Sequence, residues 1–342
     1  MKPRILFMGT STFAAAILHR LVQDGHTVVA AVSQQDKPSG RKMRLVPTPV
    51  KEAAHTSGIP VHQPLSVRDA AFADYLADTA PDLIVTAAYG KILPASVLNY
   101  PRYGCLNVHG SLLPRYRGAA PVQWALLDGE KETGVTIIRM DTGIDTGEIY
   151  AARSIPIADD TDAVQLMDDL SQLGAQLLSE ILPDYISGTL TPTRQDEASA
   201  SYAPMIRKEQ GVIHWTQTAH EIGCLVRGLA IWPGTHTFLN GLRYKIHAAS
   251  PMTEEIQPTT TEPTESLRSA TAISTHNPES GSILKATGKD LIVACGDGTR
   301  LRIQKLQPQS GRIMDASECA HNFRVGDVFT PESARESIGA AT

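Results

Sequence analysis

The sequence predicts two domains, an α/β domain built on an open parallel sheet and a smaller domain of short β-strands. Three observations favour this two-domain organisation. The 342 residues, 42% of them hydrophobic, exceed the length of one ordinary domain. Short apolar runs alternate with helical patterns in the first half, as in strands joined by helices. After Gly188 most segments are short, alternate in polarity and are bounded by turns.

Continuous apolar runs predict the buried strands of the first domain, at Arg4–Met8, Thr27–Ser33, Asp82–Ala88 and Gly104–His109. Helical periodicity between them predicts helices, at Phe13–Gln23, Pro49–Ser57, Val67–Thr79 and Pro121–Asp128. Val135–Met140 and Ile149–Ser154 extend the sheet, and a stripe of leucines predicts a long helix over Asp162–Ser187. Strands joined in this way imply right-handed crossovers.

Changes in composition set the predicted boundaries, with a first domain at 1–188, a linker at 189–204, a second domain at 205–330 and a flexible tail at 331–342. The second domain has predicted strands at Gly211–Trp215, Thr235–Leu239, Leu242–Ala248, Ser282–Ala286, Leu291–Cys295 and Leu301–Leu306. Turns at Asn240-Gly241 and Asp297-Gly298 and one helix at Thr218–Leu229 complete the pattern, which indicates a small barrel of the oligonucleotide-binding (OB) kind. Residues 253–280 are rich in Thr, Glu, Ser and Pro, which predicts a disordered insert.

The charge distribution is uneven. The formal net charge of −5 argues against a chain that coats nucleic acid throughout. Yet 205–252 and 281–329 together hold 12 Lys and Arg against 7 Asp and Glu, a local net of +5. The four cysteines have no zinc-type spacing, and we expect no metal. No apolar run reaches the 18 to 20 residues of a membrane span, so we expect a soluble, cytoplasmic protein.

The strand–turn–helix pattern at Ile5–Leu18 predicts a Rossmann-like fold but not a dinucleotide site. The dinucleotide fingerprint needs glycine at three positions, whereas Gly9 is followed by Ser11 and Ala14 at the second and third. A side chain at the second position keeps the backbone away from a pyrophosphate.

Asn107 and His109 are the candidate catalytic pair. They lie two residues apart on a predicted strand, so both side chains point to one face, at the carboxyl end where open α/β sheets bind ligands. An amide donor can stabilise a developing oxyanion, and an imidazole can move protons near neutral pH. The alternative is a purely structural role, in which the two polar side chains only satisfy their own hydrogen bonds at the end of the strand.

Three later segments add to this pair, namely Ser111-Leu112-Leu113-Pro114, then Arg115, Arg117 and Gly118, then Asp141-Thr142-Gly143-Ile144-Asp145-Thr146-Gly147. Together they resemble the formyltetrahydrofolate-dependent formyltransferase family. The resemblance implies an active site of Asn107, His109 and Asp145, with 10-formyltetrahydrofolate as formyl donor. Asp145 would bond to His109 directly or through water. The residues that it implies for folate binding are Tyr89, Ile92, Leu93, Pro94, Ser111, Leu112, Leu113, Pro114, Asp141, Gly143 and Ile144.

The stretch from Gln35 to Arg44, followed by Val46–Lys51, resembles the basic loop with which some members of that family contact the acceptor end of tRNA. The implied reaction is formyl transfer to the α-amino group of methionyl initiator tRNA, by a monomer. Together with the basic second domain, this gives as expected tRNA contacts Arg41, Lys42, Arg44, Lys51, Arg207, Lys208, Arg243, Lys245, Arg302 and Lys305. For the cations of the loop from Gln35 to Arg44, the alternative is that the loop is basic only because it is solvated.

Further matches to the family lie at Gln195-Asp196-Glu197, Tyr202-Ala203-Pro204, Trp232-Pro233-Gly234 and Leu306-Gln307-Pro308, so the resemblance covers nearly the whole chain. Two other functions stay open. A formyltransferase for a small amine would share the Asn–His–Asp site but would not need a basic second domain. A non-enzymatic RNA-binding protein would explain the basic domain but not the active-site segments.

Overall fold

The computed structural model describes residues 2–39, 43–252 and 278–332. The chain forms two compact units, the first of Met1–Ala125 and Glu130–Met205, the second of Leu126–Gly129 and Ile206–Thr342. Most of the insert predicted at 253–280 and of the tail predicted at 331–342 lies outside the described residues.

The strands of the first unit are β1 (Arg4–Gly9), β2 (Thr27–Val32), β3 (Lys37–Ser39), β4 (Arg44–Val46), β5 (Val61–His62), β6 (Leu83–Ala87), β7 (Cys105–His109), β8 (Arg117–Gly118), β9 (Glu132–Arg139), β10 (Ile149–Pro156) and β11 (Tyr202–Ala203). Its helices are α1 (Thr12–Gln23), α2 (Pro49–Thr56), α3 (Ala70–Thr79), α4 (Ala95–Leu98), α5 (Pro121–Leu127), which runs on into the second unit, and α6 (Ala163–Ser187).

One seven-stranded sheet, in the order β10-β9-β7-β6-β1-β2-β5, forms the centre of this unit. Five neighbouring strands of this sheet, β7, β6, β1, β2 and β5, are parallel, as the alternation of apolar runs and helices predicts. The last two strands depart from that prediction, because β9 is antiparallel to β7 and β10 is antiparallel to β9. The loop between β9 and β10 contains no helix, and a direct connection of that kind joins antiparallel neighbours.

Helix α6 covers the sheet as its leucine stripe predicts. Leu166, Leu170 and Leu178 are buried, and the helix packs against α1 and β9. The Asp162 carboxylate caps its first turn by accepting from two backbone N–H groups, and Gly188 ends it in the left-handed conformation at φ 77°.

Residues 189–204, predicted as a linker, belong to the first unit and make regular contacts there. Thr193 exchanges two backbone hydrogen bonds with Ile149, and β11 pairs in parallel with β8. This segment is therefore part of the first unit's structure, and it lies against the region that carries the candidate site.

The second unit contains α7 (Ala219–Gly228), β12 (Thr235–Leu239), β13 (Leu242–Pro251), β14 (Ile283–Thr287), β15 (Asp290–Ala294), β16 (Arg300–Pro308), β17 (Met314–Asp315) and α8 (Ala316–Cys319). Its antiparallel sheet runs β12-β13-β16-β15-β14, with β17 on β16. Asn240 and Gly241 have positive φ and form the β12–β13 turn, as predicted. Isolated bridges link Thr330 to Phe238 of β12 and Val328 to Ser282 beside β14.

The strand predicted at Gly211–Trp215 is wrong. A 3-10 helix occupies Lys208–Gly211, and beyond it the segment pairs only through a bridge from Val212 to His236 within the described residues. Ile213 and Trp215 are both buried, so the alternation that predicted a strand reflects packing into the core of this unit.

All four cysteines are buried with free thiols, and burial raises the pKa of Cys105 and Cys295 to about 12. Within the described residues, no helix has the length and apolar content needed to cross a membrane.

Candidate active site

Strand β7 brings the two predicted catalytic side chains to one face of the sheet. Cys105, Leu106 and Val108 are buried in the core, whereas Asn107 is half-buried and His109 is 5% exposed. The period-2 geometry of a strand thus places a polar pair beside the parallel strand β6.

The amide of Asn107 is held from both sides. The Thr86 hydroxyl on β6 donates to its Oδ1 at 2.8 Å, and its Nδ2 donates to Oδ1 of Asp145 at 3.2 Å. Because a carboxylate only accepts, these partners fix which end of the amide is nitrogen. The second Nδ2 proton has no partner in the described part of the chain, so it can be donated to a ligand.

The His109 ring is fixed by a backbone carbonyl. Its Nε2 lies 2.9 Å from the carbonyl oxygen of Tyr116, and since that oxygen only accepts, Nε2 carries a proton. Its Nδ1 lies 3.6 Å from Oδ2 of Asp145. That separation is too long for a direct hydrogen bond but close enough for charge attraction when Nδ1 is protonated.

Asp145 is the centre of the arrangement. Its Oδ2 accepts from the backbone N–H of Gly118 at 2.9 Å, while Oδ1 serves Asn107. Gly118 sits at φ 122°, and a Cβ there would lie 2.8 Å from the Ala203 carbonyl oxygen, so the close pairing of β8 with β11 needs glycine. The structure therefore brings the three predicted catalytic residues, Asn107, His109 and Asp145, together.

Sequence reasoning missed Thr86 and the role of the Gly118 backbone. The only signal for Thr86 is a hydroxyl within the apolar run of β6, where it is 3% exposed. A polar residue inside a buried strand needs a partner, and the nearest acceptor of the Thr86 hydroxyl is Oδ1 of Asn107 at 2.8 Å, ahead of the Leu106 carbonyl and Met140 Sδ at 3.2 Å each.

The residues predicted to bind folate fall into two groups. Tyr89 and Leu93 are each 4% exposed and pack in the core, so their side chains are already covered within the first unit. Ile92 and Ile144 are 59% and 55% exposed. Their neighbours Pro94, Asp141 and Gly143 lie in the same loops.

The Ser111–Pro114 segment is pinned to β9. Thr136 donates to the carbonyl oxygen of Ser111 at 2.7 Å and accepts from the backbone N–H of Leu113 at 3.0 Å. The Ser111 hydroxyl is buried and donates to the Arg115 carbonyl, so it is engaged within the chain, and Leu112 and Pro114 remain half-buried.

The predicted cations of the first unit differ in their surroundings. Arg41 and Lys42 lie outside the described residues, and Arg44 is exposed on β4. Lys51 is ion-paired, since its Nζ lies 2.6 Å from Oδ2 of Asp36 and 2.9 Å from Oε1 of Gln63. Its charge is therefore largely used within the unit, which argues against a phosphate contact.

In the second unit, two predicted cations lie on the strand that pairs with His236. Lys245 is directly opposite His236 across the β12–β13 pair, and Arg243 lies two residues before it on β13. Burial lowers the pKa of His236, and the charges of Arg243, Lys208 and Lys245 lower it further. Arg302 lies 3.4 Å from Oδ1 of Asp290, which offsets its charge. The remaining predicted cations, Arg207 and Lys305, are exposed.

Among the described residues, no group of three or more His, Cys, Asp or Glu side chains has the arrangement of a metal site.

Two family models match the chain. The model described as "Formyl transferase" matches residues 1–182, and "Formyl transferase, C-terminal domain" matches residues 205–324.

Solved structures resemble the chain across both units at low identity. A sugar 3N-formyltransferase, WlaRD, solved with dTDP and 5-N-formyl-THF, is 17% identical at a TM-score of 0.62, over 89% of this chain and 97% of that one. HypX from Aquifex aeolicus, solved with tetrahydrofolic acid, is 16% identical at a TM-score of 0.60, over 93% of this chain and 47% of that one. At such identity they show a shared fold.

Curated relatives are much closer in sequence. A methionyl-tRNA formyltransferase of Geobacter sulfurreducens is 42% identical, over 94% of each chain. That of Geobacter metallireducens is 45% identical, over 92% of this chain and 94% of the relative, and that of Caldanaerobacter subterraneus is 44% identical, over 95% and 99%. With both formyltransferase models matched and this identity over nearly its whole length, the chain is an enzyme that belongs to the methionyl-tRNA formyltransferase family.

Proposed function

We propose that the chain transfers the formyl group of 10-formyltetrahydrofolate to the α-amino group of methionyl initiator tRNA at the site of Asn107, His109 and Asp145. One observation carries the proposal for the site. The Asn107 amide is locked between Thr86 and Asp145 with an N–H left to donate, beside an oriented His109.

Acyl transfer to an amine needs donors for a developing oxyanion. The neutral amine attacks the formyl carbon, and negative charge builds on the formyl oxygen. The free Nδ2 proton of Asn107 can meet that charge without reorganising, because Thr86 and Asp145 already fix the orientation of the amide.

His109 and Asp145 would handle the proton transfers of the reaction. The new C–N bond leaves a proton on the attacking nitrogen, and the departing folate nitrogen N10 takes one up when its bond to the formyl carbon breaks. An imidazole can carry a proton between these atoms near neutral pH, and the carboxylate 3.6 Å away balances the imidazolium charge. An ordinary α-amine, with a pKa of about 7.7 to 8.0, needs no stronger base.

The folate ring would lie against the exposed apolar side chains Ile92 and Ile144, with backbone groups near Tyr89 and Leu93 reading its polar edge. The side chains of Tyr89 and Leu93 both form part of the core, so Leu93 would act through its backbone. Tyr89 would act through the shape of the loop, because its carbonyl already accepts from Thr10 and Gln34.

The second unit would bind the tRNA backbone. Its antiparallel sheet, with residues 328–330 bridged towards both β12 and β14, supports a small OB-like barrel. Arg243 and Lys245, two residues apart on β13 opposite the His236 strand, would supply a local positive surface for phosphate together with the exposed Lys208. We expect the enzyme to act as a monomer in the cytoplasm.

A small-amine formyltransferase is the rival, and the likeness of the fold to sugar formyltransferases gives it a specific basis. The deciding experiment compares charged initiator tRNA, charged elongator methionine tRNA and free amino sugars as acceptors of the formyl group. We expect the initiator tRNA to be formylated and strongly preferred. Faster transfer to a small amine than to the charged tRNA would overturn the proposal.

A further inference from the structure

Gln195, near the end of the first unit, makes four contacts that the proposed chemistry leaves unexplained. Its Nε2 donates to the backbone carbonyls of Asp145 at 2.7 Å and Gly147 at 2.8 Å. Its Oε1 accepts from Nε and Nη2 of Arg117 at 3.1 and 2.9 Å. The side chain thus bridges the backbone of the catalytic loop and a guanidinium.

These partners demand a carboxamide. Carbonyl oxygens only accept and a guanidinium only donates, so the bridge needs two N–H groups at one end and an acceptor at the other. A carboxylate at this position would keep the acceptor for Arg117 but would turn a negative oxygen towards two carbonyls. A hydrocarbon would supply neither.

Arg117 gives the bridge a fixed anchor. Its side chain is fully buried and donates through Nη1 and Nη2 to both carboxylate oxygens of Glu197, at 2.9 and 2.8 Å. The hydrogen bonds that the guanidinium donates to Glu197 raise its pKa, so it remains charged and in place. The next residue, Gly118, is the one whose N–H holds the Asp145 carboxylate.

The loop that carries Asp145 needs such support. It leaves β9 beside the beginning of β7, where the Met140 N–H bonds to the Cys105 carbonyl at 2.8 Å, yet its carboxylate reaches Asn107 and the ring of His109. Asp145 itself sits at φ 54°, in the left-handed region that side-chain-bearing residues rarely adopt. Two hydrogen bonds to its own carbonyl and that of Gly147 hold the backbone in this conformation.

We infer that Gln195 is a positioning residue that sets the place of the Asp145 carboxylate, with Arg117 as its anchor. The inference rests on the proposed function of the Asn107–His109–Asp145 site. It assigns to the Gln195 side chain a role in the rate of formyl transfer rather than in binding either substrate.

The test compares Gln195→Leu and Gln195→Glu in the full chain, alone and combined with Asp145→Asn. Asp196→Ala is the matched control, because that exposed carboxylate bonds only to Ser199 and Ala198 of its own turn among the described residues. Each variant is assayed for kcat and for KM of charged initiator tRNA and 10-formyltetrahydrofolate, and its melting temperature is recorded.

We expect both Gln195 variants to lower kcat about 10- to 100-fold, as a displacement of about 1 Å in a catalytic group does, with both KM values within about threefold of wild type. In the Asp145→Asn background the same changes should cost nothing further, because Gln195 acts through that side chain. Asp196→Ala should behave as wild type.

A near-normal kcat in Gln195→Glu, or losses that multiply with Asp145→Asn, would overturn the inference. So would a raised KM at unchanged kcat, which would mark Gln195 as a binding residue. If Gln195→Leu fails to fold, the isosteric Glu variant decides. Failure of the proposed function looks different, because the wild type then does not formylate the tRNA, while uncoupled hydrolysis of 10-formyltetrahydrofolate still reports the Gln195 effect.

Discussion

Replacing Asp145 by Asn should reduce formyl transfer far more than substrate binding. Both carboxylate oxygens are used as acceptors, Oδ2 by the Gly118 N–H at 2.9 Å and Oδ1 by Asn107 at 3.2 Å. An amide offers one acceptor, so whichever way it turns, its NH₂ group faces one of these donors. Asn107 can relieve that conflict only by turning over, which moves its own donors.

The magnitude follows from the geometry. Losing one charge-assisted hydrogen bond costs about 1.5 to 3 kcal/mol, or roughly 10- to 150-fold in rate. The substitution also removes the attraction between Asp145 and a protonated His109, which at 3.6 Å and an effective dielectric constant of about 20 amounts to roughly 4 to 5 kcal/mol before compensation by solvent. With part of that attraction lost, we expect a fall of about 100- to 1000-fold in kcat.

Single-turnover transfer from 10-formyltetrahydrofolate to charged initiator tRNA measures the rate of the chemical step. Equilibrium binding measures the affinity for each substrate separately. Asp160→Asn, at an exposed carboxyl on the loop before α6, controls for the loss of one negative charge. A single-turnover rate within threefold of wild type in Asp145→Asn would refute the assignment of this carboxylate to the reaction.

Three further substitutions test separate parts of the site. Thr86→Val should lower kcat about 2- to 10-fold, the effect of losing one neutral hydrogen bond, and should leave the KM for folate unchanged. Thr86→Ser, which keeps the hydroxyl, should be near normal. A wild-type kcat in the Val variant would show that Asn107 needs no support from Thr86. Gly118→Ala places a Cβ 2.8 Å from a backbone oxygen of β11 at φ 122°, so it should cost about 1 to 3 kcal/mol by denaturant unfolding and lower kcat; an unchanged unfolding midpoint would contradict the close pairing. In a salt titration of the KM for tRNA, Arg44→Ala should flatten the slope by roughly 0.7 to 0.9 while the ion-paired Lys51→Met should not, and equal slopes for the two variants would count against the distinction.

The parallel core and the catalytic pair were predictable because their signals are local. Continuous apolar runs marked β1, β2, β6 and β7 to within a residue or two, and the i, i+2 spacing placed Asn107 and His109 on one face. The position of Asp145 was not derivable in that way. It lies 38 residues beyond Asn107, on a loop whose path depends on contacts with Gly118 and Gln195, so only the resemblance to a family indicated it.

Individual side-chain environments were the least predictable. Lys51 follows a basic loop, so the sequence predicts a phosphate contact. In the structure its charge is paired with that of Asp36, which lies 15 residues earlier in the sequence. Ile92 and Leu93 are adjacent apolar residues of one loop, and only the backbone conformation decides that the first is exposed and the second is in the core. Neither outcome follows from hydropathy. The environment of Lys51 depends on which acidic residue the fold brings beside it, and that of Ile92 and Leu93 on which side of their loop faces the core.

Residues 189–204 are a structural part of the first unit rather than a passive connection. The charge of Arg117 is fully buried, and its partners Gln195 and Glu197 both come from that segment. A buried ion left without its partners costs about 3 to 5 kcal/mol, so the first unit is complete only when this segment has folded back onto β8. Since the bridge that satisfies Arg117 also holds the backbone of Asp145, the stability of the first unit and the geometry of its catalytic loop depend on the same few hydrogen bonds.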